Sequence, residues 1–160
     1  MHDKTLSNKN KAKLTSTTKR FHGNISFIDV SQTYQRFLET NVDFDKLLSR
    51  FSPASLFRLM LTDITNLDKI IYLDCDIIVQ MDIKQLWDIP LEDCYIAAVA
   101  ERDTAVSRYF SLSEKVRFWA LEMPVERYFN SGVIVLNLKK IRECFDMFNE
   151  SIKFFTRAKN

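Results

Sequence analysis

The chain has 160 residues, of which 23 are basic and 21 are acidic, and its formal net charge is +2. A hydrophobic share of 46% suffices to bury one continuous core, so residues 1–160 are expected to form a single globular domain or part of one. The balanced charge argues against a nucleic-acid partner, and three widely spaced cysteines match no disulfide framework or zinc knuckle and favour a reducing, cytoplasmic location.

The first half of the chain predicts two helices and a strand. Residues 5–20 are polar and lysine-rich, without the apolar run of a signal peptide, and are expected to form a solvated helix. Residues 24–30 alternate apolar and polar side chains, which predicts a strand. Ser52 followed by Pro53 is typical of a helix start, so a helix that carries Arg58 is expected there.

Three further strands and a long helix are predicted in the second half. Residues 70–73 and 133–136 are short, apolar, β-branched runs, typical of central parallel strands that are covered on both faces. Residues 95–100 predict another strand, and Asn137 is expected to cap one long amphipathic helix that ends near Phe155. The alternation of strands and helices predicts an α/β fold with a mostly parallel sheet flanked by helices.

An acidic pair, Asp74 and Asp76, directly follows the apolar run 70–73. In open α/β sheets, ligands bind beyond the carboxyl ends of the strands. On an extended segment, side chains at i and i+2 project to the same side, so these carboxylates could present hard oxygens to Mg²⁺ or Mn²⁺. Such an ion would neutralise charge on a departing nucleotide diphosphate. The alternative is a surface turn in which the two acids cap backbone amides.

A second polar segment, Asn130, Ser131 and Gly132, directly precedes the apolar run 133–136. The Asn130 side chain offers both a donor and an acceptor to the hydroxyls of a sugar. Gly132 permits backbone positions that a larger residue would block. A turn stabilised by Asn130 is the alternative interpretation of this segment.

Three charged residues are additional candidates. Glu101 and Asp103 follow the strand predicted at 95–100 and could contact an acceptor sugar, with a solvated loop as the alternative. Arg58 could reach a phosphate or sugar oxygen through its planar guanidinium group, whereas a lone helix arginine is more often solvated or paired with an acid.

The order and spacing of four segments resemble those of family-8 glycosyltransferases, especially the bacterial lipopolysaccharide galactosyl- and glucosyltransferases. The resemblance covers about residues 24 to 145. The segments that carry it are ASLFRL at 54–59, KIIYLDCDIIV at 69–79, DIKQLW at 82–87 and YFNSGVIVLNL at 128–138.

This resemblance implies a type-A nucleotide-sugar-binding fold and a retaining enzyme that uses Mn²⁺ or Mg²⁺. The implied donor is a UDP-hexose carrying galactose or glucose, and the acceptor is a saccharide or lipooligosaccharide. A cytoplasmic location, with peripheral contact at the inner face of the cytoplasmic membrane in the full-length enzyme, is also implied. The implied metal ligands are Asp74 and Asp76. The implied donor-binding residues are Arg58, Asp74, Cys75, Asp76, Asn130, Ser131 and Gly132. The catalytic candidates are Asn130, Glu101 and Asp103.

Two parts of the family pattern have no counterpart in these residues. Family members open with a strand and loop that bind uracil and ribose, and they continue to a histidine that completes the metal shell. The chain is therefore expected to correspond to the central half of an enzyme and to bind metal and UDP weakly alone. One alternative function is a truncated, non-catalytic remnant or interaction module. Another is a phosphatase with Asp74 as nucleophile, although Ile78 stands where such phosphatases normally have Thr or Val.

Overall fold

A computed structural model of the chain describes residues 1–40, 52–100 and 129–157. Two compact units are present, one formed by Met1–Asn66 with Phe145–Asn160 and the other by Leu67–Cys144. That residues 1–160 form a single domain stays a prediction. In chain order, the elements are α1 (Asn8–Arg20), α2 (Ser31–Leu38), α3 (Pro53–Leu56), a 3₁₀ helix (Phe57–Met60), α4 (Leu61–Ile64), β1 (Lys69–Leu73), α5 (Lys84–Trp87), β2 (Ile96–Ala100), β3 (Phe129–Asn137), α6 (Leu138–Cys144) and α7 (Met147–Arg157).

Near the start of the first unit, one prediction is confirmed and one is wrong. Helix α1 buries none of its residues and is capped by the Ser7 side chain, so the solvated helix is confirmed. The strand predicted at 24–30 is absent, and this stretch forms only an isolated bridge between His2 and Asp29. Alternating side chains make a strand when one face is buried. Here Ile25 remains 37% exposed, so that burial is missing.

The helix predicted from Pro53 is confirmed at its start and changes character in its middle. Ser52 caps α3, since its hydroxyl oxygen accepts a hydrogen bond from the Ser55 amide at 3.3 Å. The 3₁₀ helix then separates α3 from α4. With three residues per turn, side chains three apart in a 3₁₀ helix lie on the same side. Phe57 and Met60 are accordingly both buried.

Aromatic side chains dominate the core of the first unit. The Phe37 ring meets the Phe148 ring edge-on, with 5.5 Å between the centroids, and the Phe155 ring at 6.3 Å. The buried members of this core are Phe37, Leu56, Met60 and Phe148. Such edge-to-face pairs add to the burial of apolar area, so this cluster holds α2, the 3₁₀ helix and α7 together.

The described strands of the second unit form one sheet in the order β1-β3-β2. Leu73 pairs with Val133 and Ile96 with Leu136, and β3 runs antiparallel to both neighbours. The α/β class is confirmed, whereas these pairings differ from the expected parallel sheet. An all-apolar run indicates burial of a strand, as for Ile134 and Val135, and it does not determine the direction of the neighbouring strands.

The single helix predicted after Asn137 is two helices, α6 and α7. The predicted cap is confirmed, because the Asn137 side-chain oxygen accepts a hydrogen bond from the Lys140 amide at 3.0 Å. The helix is interrupted before Met147, and there the Asp146 carboxylate accepts a hydrogen bond from the Asn149 amide at 3.0 Å. An Asp side chain that bonds the backbone locally competes with helix continuation, so Asp146 starts a new helix.

We expect Asp146→Ala to lower the free energy of unfolding by about 1 kcal/mol, because α7 loses its N-terminal cap. Urea unfolding followed by circular dichroism measures this change. Glu143→Ala is the matched control, since Glu143 is an exposed acid in the preceding helix. Equal stability of both variants would show that Asp146 does not cap α7.

Candidate functional site

The pairing of β1 with β3 brings the two polar segments together. Leu73 lies opposite Val133, and Asp74 and Gly132 are the next residues along the two strands. The Asp74 amide donates a hydrogen bond to the Gly132 carbonyl oxygen at 2.9 Å. Two segments that lie far apart in sequence thus meet at one end of the same strand pair, and Asp74 is fixed there through its backbone.

Tyr72 holds the side chain of Asp74. Its hydroxyl donates a hydrogen bond to Asp74 Oδ1 at 2.8 Å. Residues two apart on a strand share a face, which brings the phenol and the carboxylate within reach of each other. In the sequence, Tyr72 belongs to an apolar run, and its contact with Asp74 was not predicted. Its spacing of two residues from Asp74 was the available signal.

Gly132 provides the space in which Asp74 and Asn130 meet. Gly132 is buried, and a Cβ atom at this position would lie 3.1 Å from Asp74 Oδ2 and 3.1 Å from Asn130 Oδ1. The Gly132 amide also donates a hydrogen bond to Asn130 Oδ1 at 2.8 Å. A side chain here would therefore press on both oxygens, and the close approach depends on glycine.

Asn130 and Ser131 are both exposed at the start of β3. The bond from the Gly132 amide uses one of the two lone pairs on Asn130 Oδ1. Within the described residues, the two hydrogens on Nδ2 and the second lone pair remain for another group. The side chain is thus oriented by its own backbone, and it can still offer both a donor and an acceptor to a sugar hydroxyl.

The acidic pair forms a turn, which corrects one geometric expectation. The Ile77 amide donates to the Asp74 carbonyl oxygen at 3.3 Å, and Cys75 and Asp76 occupy the exposed centre of the turn. The expectation that both carboxylates project to the same side assumed an extended segment, and that assumption was wrong because a turn follows β1 directly. A shared direction of the two carboxylates stays a prediction. Asp is favoured in such turns, so the alternative of a surface turn describes the backbone correctly.

The donor chemistry of the site fits a hard divalent cation. Asp74 and Asp76 supply carboxylate oxygens, which suit Mg²⁺ or Mn²⁺ better than a soft metal. Asp74 Oδ2 lies beside the space that Gly132 leaves open. Within residues 1–40, 52–100 and 129–157, no group of three or more His, Cys, Asp or Glu side chains could hold a metal ion. The described part of the chain therefore offers a partial ligand set.

The remaining candidates are Arg58, Glu101 and Asp103. Arg58 lies in the 3₁₀ helix of the first unit, where its Nε donates a hydrogen bond to the Ser55 carbonyl oxygen at 3.0 Å. Glu101 and Asp103 lie outside the described residues. The roles of these three residues stay predictions.

In the part of the chain that the structure describes, none of the helices has both the length and the apolar character needed to span a bilayer.

Curated relatives of the chain come from bacteria and plants. A Haemophilus influenzae protein, provisionally named a glycosyltransferase, is 27% identical to this chain over 160 residues. The match covers 99% of this chain and 44% of that protein. General stress protein A of Bacillus subtilis is 28% identical over 141 residues, covering 84% of this chain and 42% of the relative. The chain thus spans less than half the length of these relatives.

Solved structures show the same fold. The galactosyltransferase LgtC, solved in complex with donor and acceptor sugar analogs, superposes with a TM-score of 0.72 at 30% identity, over 96% of this chain and 51% of LgtC. The bifunctional glycosyltransferase WbbM superposes with a TM-score of 0.70 at 25% identity, over 92% of this chain and 27% of WbbM. The fold is therefore the type-A glycosyltransferase fold that the resemblance implied.

The family assignment rests on the whole length of the chain. The family model described as Glycosyl transferase family 8 matches residues 1–160. The same residues include the Asp74 turn and the Asn130 segment, which β1 and β3 bring together. The chain therefore belongs to glycosyl transferase family 8, a family of transferases.

Proposed function

We propose that this chain supplies part of the donor and metal site of a retaining hexosyltransferase, within one glycosyltransferase domain. The reaction moves galactose or glucose from a UDP-sugar to a saccharide or lipooligosaccharide acceptor, in the cytoplasm at the inner face of the membrane. The observation that carries the proposal is the placement of Asp74, held by Tyr72 and Gly132 beside Asn130. The likeness to LgtC, solved with donor and acceptor sugar analogs, supports the substrate class.

In this proposal, each residue of the site has a separate task. Asp74 and Asp76 hold Mn²⁺ or Mg²⁺. A bound cation would stabilise the negative charge that develops on the departing UDP. Tyr72 keeps the Asp74 carboxylate in one orientation, because its hydroxyl bonds Oδ1. Asn130 donates from Nδ2 to a hydroxyl of the donor or acceptor sugar.

The other sequence candidates complete the proposed contacts. Cys75 and Ser131, both exposed beside the acidic turn and Asn130, contact the bound donor. Arg58 contacts the donor sugar. Glu101 or Asp103 supplies an acidic group near the transferred sugar. These assignments follow the family motif, and each can be tested by substituting that residue alone.

Calorimetric titration of UDP into the chain tests the proposed function. We expect binding in the presence of Mn²⁺ and its loss after chelation with EDTA, because the carboxylates of the site attract the diphosphate only through a cation. Binding without any dependence on metal would contradict the proposal. Complete absence of binding at millimolar UDP and Mn²⁺ would instead support a non-catalytic interaction module, the second candidate for a chain that spans less than half its relatives.

We expect Tyr72→Phe to weaken Mn²⁺-dependent UDP binding about fivefold, because Asp74 Oδ1 loses one hydrogen bond worth about 1 kcal/mol. Titration of Mn²⁺ followed by electron paramagnetic resonance measures the affinity. Tyr34→Phe is the control, since it removes a phenol hydroxyl in the first unit. A Tyr72→Phe variant that binds as tightly as the unchanged chain would show that the phenol does not position Asp74.

A further inference from the structure

Helix α1 carries a concentration of positive charge. Its sequence, NKNKAKLTSTTKR, contains five cationic side chains and no acidic one. The whole chain has a net charge of only +2. The excess of positive charge is therefore local to this helix, and the transfer reaction proposed above makes no use of it.

The half-buried side of α1 can be identified from its contacts. Lys11, Thr15 and Thr18 are partly buried, whereas most of the helix is exposed. Lys11 Nζ lies 5.7 Å from the centroid of the Phe27 ring. With 100° between successive residues, these three positions fall on one side of the helix. The opposite side faces solvent.

Three of the cations line the exposed side. Lys9, Lys13 and Arg20 are four and seven residues apart, so they fall on one face along about 16 Å of helix. All three are exposed. Among the described residues, none of them lies within ion-pair distance of an acid, whereas Lys140 pairs with Asp93 at 2.7 Å. The positive charge of this row is thus not neutralised by acids in the described part of the chain.

Two exposed apolar side chains border this row. Leu14 is 45% exposed, and Phe21, the C-cap residue that directly follows α1, is 76% exposed. They are seven residues apart and therefore share one side of the helix, about 100° from Lys13. A row of cations beside exposed apolar side chains is typical of helices that lie at a lipid surface. We call Lys9, Lys13, Leu14, Arg20 and Phe21 the basic face of α1.

We propose that the basic face of α1 docks on an anionic lipid surface. Negatively charged head groups complement Lys9, Lys13 and Arg20, and each such cation near an anionic membrane strengthens binding about fivefold. Phe21 and Leu14 fit the apolar boundary beneath the head groups. A nucleic acid would satisfy the cations and leave the two apolar side chains in water, so the observations favour lipid. The proposal gives a surface to the membrane location proposed above, and it does not depend on the UDP-sugar reaction.

Co-sedimentation with vesicles tests the proposal. We expect the chain to bind vesicles of phosphatidylglycerol and phosphatidylcholine, to bind pure phosphatidylcholine vesicles far less, and to dissociate as salt is added. A variant with Lys9→Gln, Lys13→Gln and Arg20→Gln should bind anionic vesicles on the order of 100-fold more weakly. Phe21→Ser should weaken binding about tenfold.

A matched control separates the effect of the basic face on vesicle binding from the effect of net charge. Lys84→Gln, Lys139→Gln and Lys153→Gln remove three exposed cations elsewhere, and both triple variants have a net charge of 2 − 3 = −1. The control should retain most of the vesicle binding. Equal loss in both variants, or binding to RNA without binding to anionic vesicles, would overturn the proposal. Circular dichroism of all variants shows that each is folded, and no UDP or metal enters the experiment.

Discussion

Asp74→Asn is expected to weaken Mn²⁺-dependent UDP binding at least 100-fold. Asn has the same shape as Asp, so its side-chain oxygen can still accept the hydrogen bond from the Tyr72 hydroxyl. Its backbone amide still donates a hydrogen bond to the Gly132 carbonyl oxygen. The substitution removes the negative charge that attracts a cation. A hard cation held by carboxylates contributes several kcal/mol to the binding free energy of UDP, and each 1.4 kcal/mol corresponds to about a tenfold change in affinity. The Mn²⁺ titration and UDP calorimetry measure the loss, and urea unfolding should be nearly unchanged.

The opposite end of β1 provides the control for Asp74→Asn. Asp68 directly precedes β1, as Asp74 directly follows it, and its carboxylate lies 3.7 Å from Arg142. Asp68→Asn removes the same charge from the same unit and should leave the metal-dependent binding intact. Asp76→Asn should resemble Asp74→Asn, because the proposal gives both acids the same role. Unchanged binding in both acid-pair variants would refute the metal assignment.

Local features of the fold were predictable from the sequence because they depend on neighbouring residues. The apolar runs identified β1 and β3, and cap residues such as Ser52 and Asn137 identified helix starts. The direction of β3 was not predictable in this way, since burial on both faces is compatible with either direction. The break at Asp146 was missed because apolar residues continue at helical spacing through it.

The candidate site was predictable in its residue types and not in its arrangement. An acidic pair after one strand and an Asn-Ser-Gly segment before another indicated a site, and family membership now favours a glycosyltransferase over a phosphatase. Their meeting depends on the register of β1 with β3, a pairing between distant parts of the chain. The contact of Tyr72 with the Asp74 carboxylate follows instead from their spacing of two residues along the chain, which residue type alone did not indicate.

Gly132→Ala is expected to weaken Mn²⁺-dependent UDP binding about tenfold while changing the free energy of unfolding by less than about 1 kcal/mol. Replacing a strand glycine by alanine favours folding by about 0.5–1 kcal/mol, whereas one strained hydrogen bond costs about 1 kcal/mol, so the two effects nearly cancel. For UDP binding, no comparable gain offsets the strain that the new Cβ atom causes at the site. The new Cβ atom lies 3.1 Å from Asp74 Oδ2 and from Asn130 Oδ1, and both side chains are already held by hydrogen bonds.

The other glycine of the chain makes this prediction specific. A Cβ atom on Gly23 would lie 3.0 Å from the Thr18 methyl group, a contact as tight as the one at Gly132, but in the first unit. Gly23→Ala should therefore leave Mn²⁺ and UDP binding unchanged. If Gly132→Ala instead destabilised the fold by several kcal/mol, glycine would be needed there for packing. If it changed neither stability nor binding, the close approach of Asp74 and Asn130 would have no part in holding the donor.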